Sequence, residues 1–300
     1  MTGHAAVVTG AGGGIGRAIA LDLAAAGWAV VVNDLGSLPD GTGSDAAPGK
    51  QVVDEIRAAG GTAVLDTADV GDWDAGHGLV DTAMREFGRL DGVVNCAGIL
   101  RDVIFHRLSE ADWDAVIRVH LKGSFAVSRA AATVFRSQGG GAFVHLTSTS
   151  GLIGSLAQAN YSAAKMGIVG LSRSIAIDMA RFGVRSNAVA PFAWSRMIGT
   201  LPDETPAERA RVAKFRSMTP EHVAPLVTYL LSEQAADVTG QVFVVRRNEI
   251  MLMSQPRPIR TLHRSDGWTA GRLAEQLVPA LRSSFIPLER SQDLFSWDPI

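Results

Sequence analysis

Short apolar runs alternate with longer amphipathic stretches along the first two-thirds of the chain. The runs Ala5–Thr9, Ala29–Asn33, Thr62–Leu65, Gly92–Asn95, Ala142–Leu146 and Val184–Ala188 read as strands, with a seventh at Gln241–Val245. The stretches between them read as helices over Gly14–Ala26, Lys50–Ala59, Trp73–Phe87, Glu110–Arg136 and Ala157–Phe182, with a last one near Glu221–Leu231. Alternating strand and helix predicts an α/β fold with a parallel sheet of about seven strands and helices on both faces. Two stretches break the rhythm. Gly36 to Gly49 is rich in Gly, Ser, Pro and Asp and reads as a surface loop. Residues 190–218 read as a flap before the last helix. Residues 1–245 thus form one domain, and 246–300 a C-terminal extension. In the extension, Leu273, Leu277 and Leu281 recur at steps of four, predicting one amphipathic helix that Asp266 helps to start. Trp268, Phe285, Phe295 and Trp297 argue for an arm packed on its own or a neighbouring subunit, against a disordered tail.

Composition narrows the class. Hydrophobic residues make up 47% and charged residues 19% of the 300, the latter below the usual ~25%. That suits a subunit hiding surface in an oligomer. A net charge of −2 gives no mark of a nucleic-acid binder. The single cysteine, Cys96, excludes an internal disulfide framework and a cysteine-only metal site, and no metal is expected. No apolar run approaches the ~20 residues of a membrane span. The chain enters its first strand without a charged-then-apolar leader, and it ends Trp297-Asp298-Pro299-Ile300, unlike a peroxisomal address. The expectation is a cytoplasmic protein with no membrane partner.

Chemistry concentrates at the predicted C-terminal strand ends. Thr9-Gly10-Ala11-Gly12-Gly13-Gly14-Ile15-Gly16 follows the first strand and opens the first helix. Glycines let the backbone turn sharply and approach a pyrophosphate, while the helix N-terminus offers free N–H groups to that anion. Gly10, Gly14, Ile15 and Gly16 are therefore cofactor candidates in a Rossmann-type, doubly wound sheet. Asp34 ends the second strand eighteen residues after Gly16. A carboxylate there accepts hydrogen bonds from ribose hydroxyls and repels a 2′-phosphate, which favours NAD over NADP. It could equally be an ordinary strand-end aspartate. Asp69-Val70, after the third strand, is a candidate adenine contact. Asn95, Ala97 and Gly98, after the fourth, are candidates to line the cleft.

Tyr161 and Lys165 stand four residues apart, with Ser148 thirteen residues before the tyrosine. On a helix, positions i and i+4 share a face. A tyrosine pKa of about 10 is too high for a base at neutral pH, and a neighbouring cation lowers it. The three side chains read as a proton-transfer device. Ser148 lies within Thr147-Ser148-Thr149-Ser150, where neighbouring hydroxyls also qualify.

Taken together, Gly10-x3-Gly14-x-Gly16, Asn95-x-Ala97-Gly98, Ser148 and Tyr161-x3-Lys165 resemble the short-chain dehydrogenase/reductase family over residues 4–245. Asn33-Asp34-Leu35-Gly36, Gly98-Ile99-Leu100-Arg101-Asp102, Arg118-Val119-His120-Leu121-Lys122-Gly123 and Gln158-Ala159-Asn160-Tyr161 resemble one subgroup. It comprises the (3R)-hydroxyacyl-CoA dehydrogenase domain of peroxisomal multifunctional enzymes of type 2 and its stand-alone bacterial relatives. The resemblance implies that Tyr161 takes the proton of a substrate hydroxyl as its carbon gives hydride to NAD. It implies that Ser148 positions that oxygen, and that Lys165 lowers the tyrosine pKa and holds the nicotinamide ribose. His120 stands where most members have a relay asparagine, and is either part of the relay or a hydrogen-bonded helix histidine. Ser195 takes the place of a threonine that contacts the cofactor. The implied substrate is a 3-hydroxyacyl-CoA with a fatty or sterol acyl part, and the implied assembly is a homodimer or homotetramer. Phe192, Trp194, Met197 and Leu201 would suit an apolar group, and the arginines 246, 247, 257, 260 and 264 either bind coenzyme A phosphates or form a basic surface. The alternatives are another short-chain alcohol or steroid dehydrogenase, a 3-oxoacyl-carrier-protein reductase, or a non-catalytic nucleotide sensor.

Overall fold

The computed structural model describes residues 3–193 and 205–300. In chain order the elements are β1 (Ala5–Thr9), α1 (Gly14–Ala25), β2 (Ala29–Asn33), α2 (Ala47–Ala58), β3 (Thr62–Asp66), α3 (Trp73–Phe87), β4 (Gly92–Asn95), α4 (Glu110–Ile117), α5 (Gly123–Gln138), β5 (Gly141–Leu146), α6 (Thr149–Leu152), α7 (Ala159–Met179) and β6 (Val184–Phe192). After them come α8 (Pro206–Arg216), α9 (Ala224–Leu231), β7 (Val242–Arg246), β8 (Glu249–Leu252), α10 (Ala270–Leu281) and α11 (Ser291–Leu294).

The sheet has the order β3-β2-β1-β4-β5-β6-β7-β8. Its first seven strands are parallel, and β8 pairs antiparallel with β7, with Val245 opposite Ile250. An eighth strand is one more than the apolar runs predict. It is a short edge strand whose Ile250 and Leu252 are exposed, so it lacks the apolar density of a buried strand. The sheet therefore crosses the boundary expected at residue 245.

Successive strand residues face opposite sides. Ala6, Val8, Val30 and Val32 face α1 and α9, packing with Ile19, Leu23, Leu226 and Leu230. Val7 and Val31 face the other layer, with Leu79, Val127, Phe135 and Phe143. Both faces are covered, as parallel sheets require. The strand order reverses between β1 and β4, so a crevice opens at their C-terminal ends, where such sheets bind ligands.

The helix expected over Glu110–Arg136 is broken. α4 ends at Ile117, a widened π-helical turn occupies Arg118–Lys122, and α5 begins at Gly123. A π turn inserts one extra residue per turn without changing the apolar pattern strongly, which is why periodicity missed it.

Candidate active site

The loop after β1 is built by glycines in close contact with other backbone. Gly10 has φ +67°, and a Cβ there would lie 2.8 Å from Ala97 Cα. A Cβ on Gly12 would lie 2.8 Å from Asp34 Oδ2. Gly14 has φ +50° with open space beside it. The N-terminus of α1 has no side-chain cap and no acid in its first turn. Its free N–H groups and positive dipole end face that space, which is what an anionic pyrophosphate requires. Ile15 packs from the loop onto the core, and Gly16 lies against the Gly10 carbonyl.

Asp34 ties this loop to β2. Its Oδ2 accepts from the Gly12 amide at 2.6 Å and its Oδ1 from the Gly36 amide at 2.7 Å. Thr9 does the same between β1 and the loop after β4, its Oγ1 accepting from the amides of Cys96 at 3.0 Å and Ala97 at 3.1 Å. Thr9 was legible only as part of the glycine motif; its stitching role comes from strand pairing. Gly36–Ala46 runs from the end of β2 to the segment after β4. Pro39 O accepts from Leu100 N at 2.9 Å, and Asp40 O from Arg101 Nε at 3.0 Å. This strap thus links the ends of the two strands that flank β1.

Two candidate cleft residues are otherwise engaged. Asp69 accepts from Gly71 N at 2.9 Å and pairs with Arg118 Nη1 at 2.8 Å, while Val70 is buried against Gly123. Asn95 is buried, its Nδ2 donating to Ser128 Oγ at 2.9 Å and lying 3.1 Å from His145 Nδ1. Both side chains brace the crevice floor. Ser195, with Trp194, Met197 and Leu201, lies outside the described residues.

Tyr161 and Lys165 share one face of α7, and Ser148 precedes α6 as its N-cap, accepting from Ser150 N at 3.1 Å. Lys165 is buried, its Nζ donates to Leu146 O at 2.7 Å, and it lies 5.5 Å from the centre of the Tyr161 ring. Thr147 Oγ1 donates to Lys165 O at 2.7 Å, so β5 and α7 are bound together at this point. Asn160 anchors the start of α7, donating to Arg101 O at 3.0 Å and accepting from Tyr161 N at 2.8 Å.

Burial dominates the electrostatics. Desolvation pushes the Tyr161 phenol up to about 12; a hydrogen bond with Ser148 pulls down, and the Asp102 charge pushes up. Desolvation also pushes Lys165 down to about 8. In the ligand-free protein burial thus acts on the phenol against the lowering that the resemblance implies for Lys165. Asp102 was not singled out from sequence. Although exposed, it has its own pKa raised by desolvation, and it accepts from Gln158 Nε2 at 2.7 Å.

His120 projects from the π turn into the core. Its Nε2 lies 2.8 Å from Ile99 O and 3.0 Å from Ile99 N, its ring meets Tyr161 edge-on at 5.2 Å between centres, and desolvation pushes its pKa down to about 3. Nδ1 has no protein partner. A Cβ on Gly98 would overlap His120 Cε1, so the glycine is needed for this contact. The geometry is that of a neutral, backbone-bonded histidine packed on Tyr161.

The arginine stretch is not one free cluster. Arg246 is buried, hydrogen-bonded to Trp297 O and stacked 5.1 Å from the Trp297 ring centre. Arg264 pairs with Asp266, and Arg260 donates to Ser284 Oγ. Among the described residues no cluster of metal ligands is present, and no helix is long and apolar enough to cross a membrane.

A glycine-lined crevice at the strand-order reversal, with a serine after β5 and a tyrosine and a lysine on α7 beside it, defines a Rossmann-fold oxidoreductase using a nicotinamide cofactor. Comparison with known proteins agrees. A family model described as enoyl-(acyl carrier protein) reductase matches residues 10–246. A short-chain type dehydrogenase/reductase of Mycobacterium tuberculosis is 48% identical over 240 residues, 80% of each chain. The hydroxyacyl-CoA dehydrogenase ChsB1 of the same organism is 41% identical over 99% of this chain and 93% of its own. Mouse peroxisomal multifunctional enzyme type 2 is 46% identical over 79% of this chain, which spans only 31% of that protein. The crystal structure of a short chain dehydrogenase from Mycobacterium avium superimposes with a TM-score of 0.82 at 42% identity, covering 95% of this chain and 96% of that one. The chain belongs to the short-chain dehydrogenase/reductase family.

Proposed function

We propose that the protein oxidises a (3R)-hydroxyacyl-CoA, with a fatty or sterol acyl part, to the 3-oxoacyl-CoA, using NAD. The observation that carries the substrate class is the likeness to a hydroxyacyl-CoA dehydrogenase over 99% of the chain, extension included. NAD is favoured by Asp34, whose carboxylate is held 2.6 Å from the Gly12 amide at the lip of the glycine loop. A 2′-phosphate would meet that charge, whereas ribose hydroxyls would donate to it.

Gly10, Gly14, Gly16 and the α1 N-terminus would hold the pyrophosphate, Asp34 the adenosine ribose, and Lys165 the nicotinamide ribose. The bound cofactor supplies the hydride acceptor. Tyr161 takes the substrate hydroxyl proton, and Ser148 orients the same oxygen and donates to it as it becomes a carbonyl. The phenol must be brought down from about 12 to do this at neutral pH. Ser148 already pulls in that direction, and a positive charge entering the crevice acts the same way.

The test is initial rates with NAD or NADP on (3R)- and (3S)-hydroxyacyl-CoA esters of increasing chain length. The expected result is turnover of the (3R) esters with NAD preferred. Inactivity on every acyl-CoA, with NADPH-dependent reduction of a 3-oxoacyl carrier-protein thioester, would replace this reading. A 3-oxoacyl-[acyl-carrier-protein] reductase of Synechocystis is 40% identical over 84% of this chain.

A further inference from the structure

The turn that presents Ser148 cannot hold itself in place. α6 has four residues, too few for a stable isolated helix. One side of it rests on α7, where a Cβ on Gly151 would lie 2.9 Å from Met166 N. Its other side meets the sheet at Ala190 and Val244 and the end of the chain, more than 130 residues away in sequence. Ser291 Oγ lies 2.6 Å from Thr149 Oγ1, and both residues are buried. The Ser291 amide donates to Gly154 O at 2.9 Å. Phe295, only 8% exposed, packs with Leu152 and Ile153 of the same turn and with Ala190, Phe192 and Val244 of the sheet.

The tail is itself anchored. Arg290 and Asp293 cap α11 with bonds of 2.7–3.0 Å. Trp297 Nε1 donates to Glu249 Oε1 at 2.8 Å, and its carbonyl accepts from buried Arg246. Asn248 N donates to Ile300 O at 3.0 Å. Asp298 pairs with Lys214 on α8. The β7–β8 hairpin thus fixes the tail, and the tail fixes the Ser148 turn.

We propose that Ser291, supported by Phe295, is a positioning residue for the reaction: it holds Thr149 and Gly154, and through them the Ser148 hydroxyl, against Tyr161. This rests on the reading of Ser148 as the group that orients the substrate oxygen. The tail touches neither the glycine loop nor Asp34 through any bond described above, so it bears on turnover and not on cofactor affinity. Small displacements of a positioned donor cost large factors in rate. A misplaced Ser148 also withdraws a bond that favours the Tyr161 phenolate.

The experiment compares Ser291→Ala, Ser291→Thr and Ser148→Ala with the parent, measuring kcat, KM, NADH dissociation constant by fluorescence, and the pH profile of kcat. For Ser291→Ala the expected result is a loss of about tenfold in kcat. Its NADH affinity should stay within about twofold of the parent. The acid limb of its kcat profile should move to higher pH, because a phenol without Ser148 support gives up its proton later. Ser291→Thr, which keeps the hydroxyl, should restore kcat and profile together. A Ser291→Ala kcat within twofold of the parent, with Ser148→Ala inactive, overturns this proposal and leaves the role of Ser148 intact. Equal losses of kcat and NADH affinity with an unmoved profile also overturn it, since they report general loosening. A Ser148→Ala enzyme as active as the parent removes the role of Ser148 and this proposal with it.

Discussion

Gly98→Ala tests the packing between the cofactor crevice and the tyrosine. No positive φ is recorded at Gly98, so the cost is steric alone. The new methyl would overlap His120 Cε1 and approach Nδ1 to 3.0 Å and Nε2 to 3.1 Å. The ring cannot move away freely, because it is buried and bonded to Ile99 O at 2.8 Å. Overpacking a core by one methyl costs about 1–3 kcal/mol. Losing the backbone bond adds about 1 kcal/mol, so the variant should lose roughly 2–4 kcal/mol in urea denaturation. A double-mutant cycle separates this contact from other effects. In a His120→Ala background, the same methyl should cost under about 1 kcal/mol, since the space it needs is then vacant. Turnover should fall in Gly98→Ala as well, because the displaced ring abuts Tyr161 at 5.2 Å between centres. Stability of Gly98→Ala within about 0.5 kcal/mol of the parent, or an equal cost in both backgrounds, would refute the reasoning.

Tyr161→Phe should bind NADH as the parent does and lose at least about a hundredfold in kcat; turnover within a few-fold would remove the tyrosine from the mechanism. Asp34→Ala should shift the NAD-to-NADP preference in kcat/KM toward NADP by about tenfold or more, and an unchanged ratio would mean that Asp34 serves only to brace Gly12 and Gly36. Arg101→Ala, which unties the strap at Asp40 O, should speed NADH dissociation in stopped-flow fluorescence; an unchanged rate would show that the strap does not gate the crevice. Lys165 gives a pH test with a definite sign. Burial pushes its folded pKa down to about 8 from the ordinary lysine value of 10.5, so between these values the unfolded chain holds more protons and stability rises with pH. From pH ~7.5 to ~9.5 the parent should gain roughly 2 kcal/mol relative to Lys165→Met, and parallel stability curves would contradict the burial assigned to this lysine.

Much of the architecture was readable locally. β1, β2 and β4 begin and end where their apolar runs do, because a parallel strand buried on both faces needs continuous apolar side chains. β8 and the π turn escaped, the first because half of its residues face solvent, the second because a single widened turn barely disturbs a helical repeat. At the site, the four-residue spacing of Tyr161 and Lys165 announced a shared helix face. The engagement of Asp69 with Arg118, forty-nine residues on, had no local signal.

Sequence alone determined the doubly wound fold class, the glycine loop opening α1, and the shared helix face of Tyr161 and Lys165. Each of these depends on backbone conformation or on spacing within one element. Tertiary structure decided that burial works against charge on both Tyr161 and Lys165, because desolvation depends on everything packed around a group. It also decided that Gly98 must make room for His120, and that the Ser148 turn leans on Ser291 and Phe295. Those contacts join residues far apart in the chain, and only the folded backbone brings them within reach.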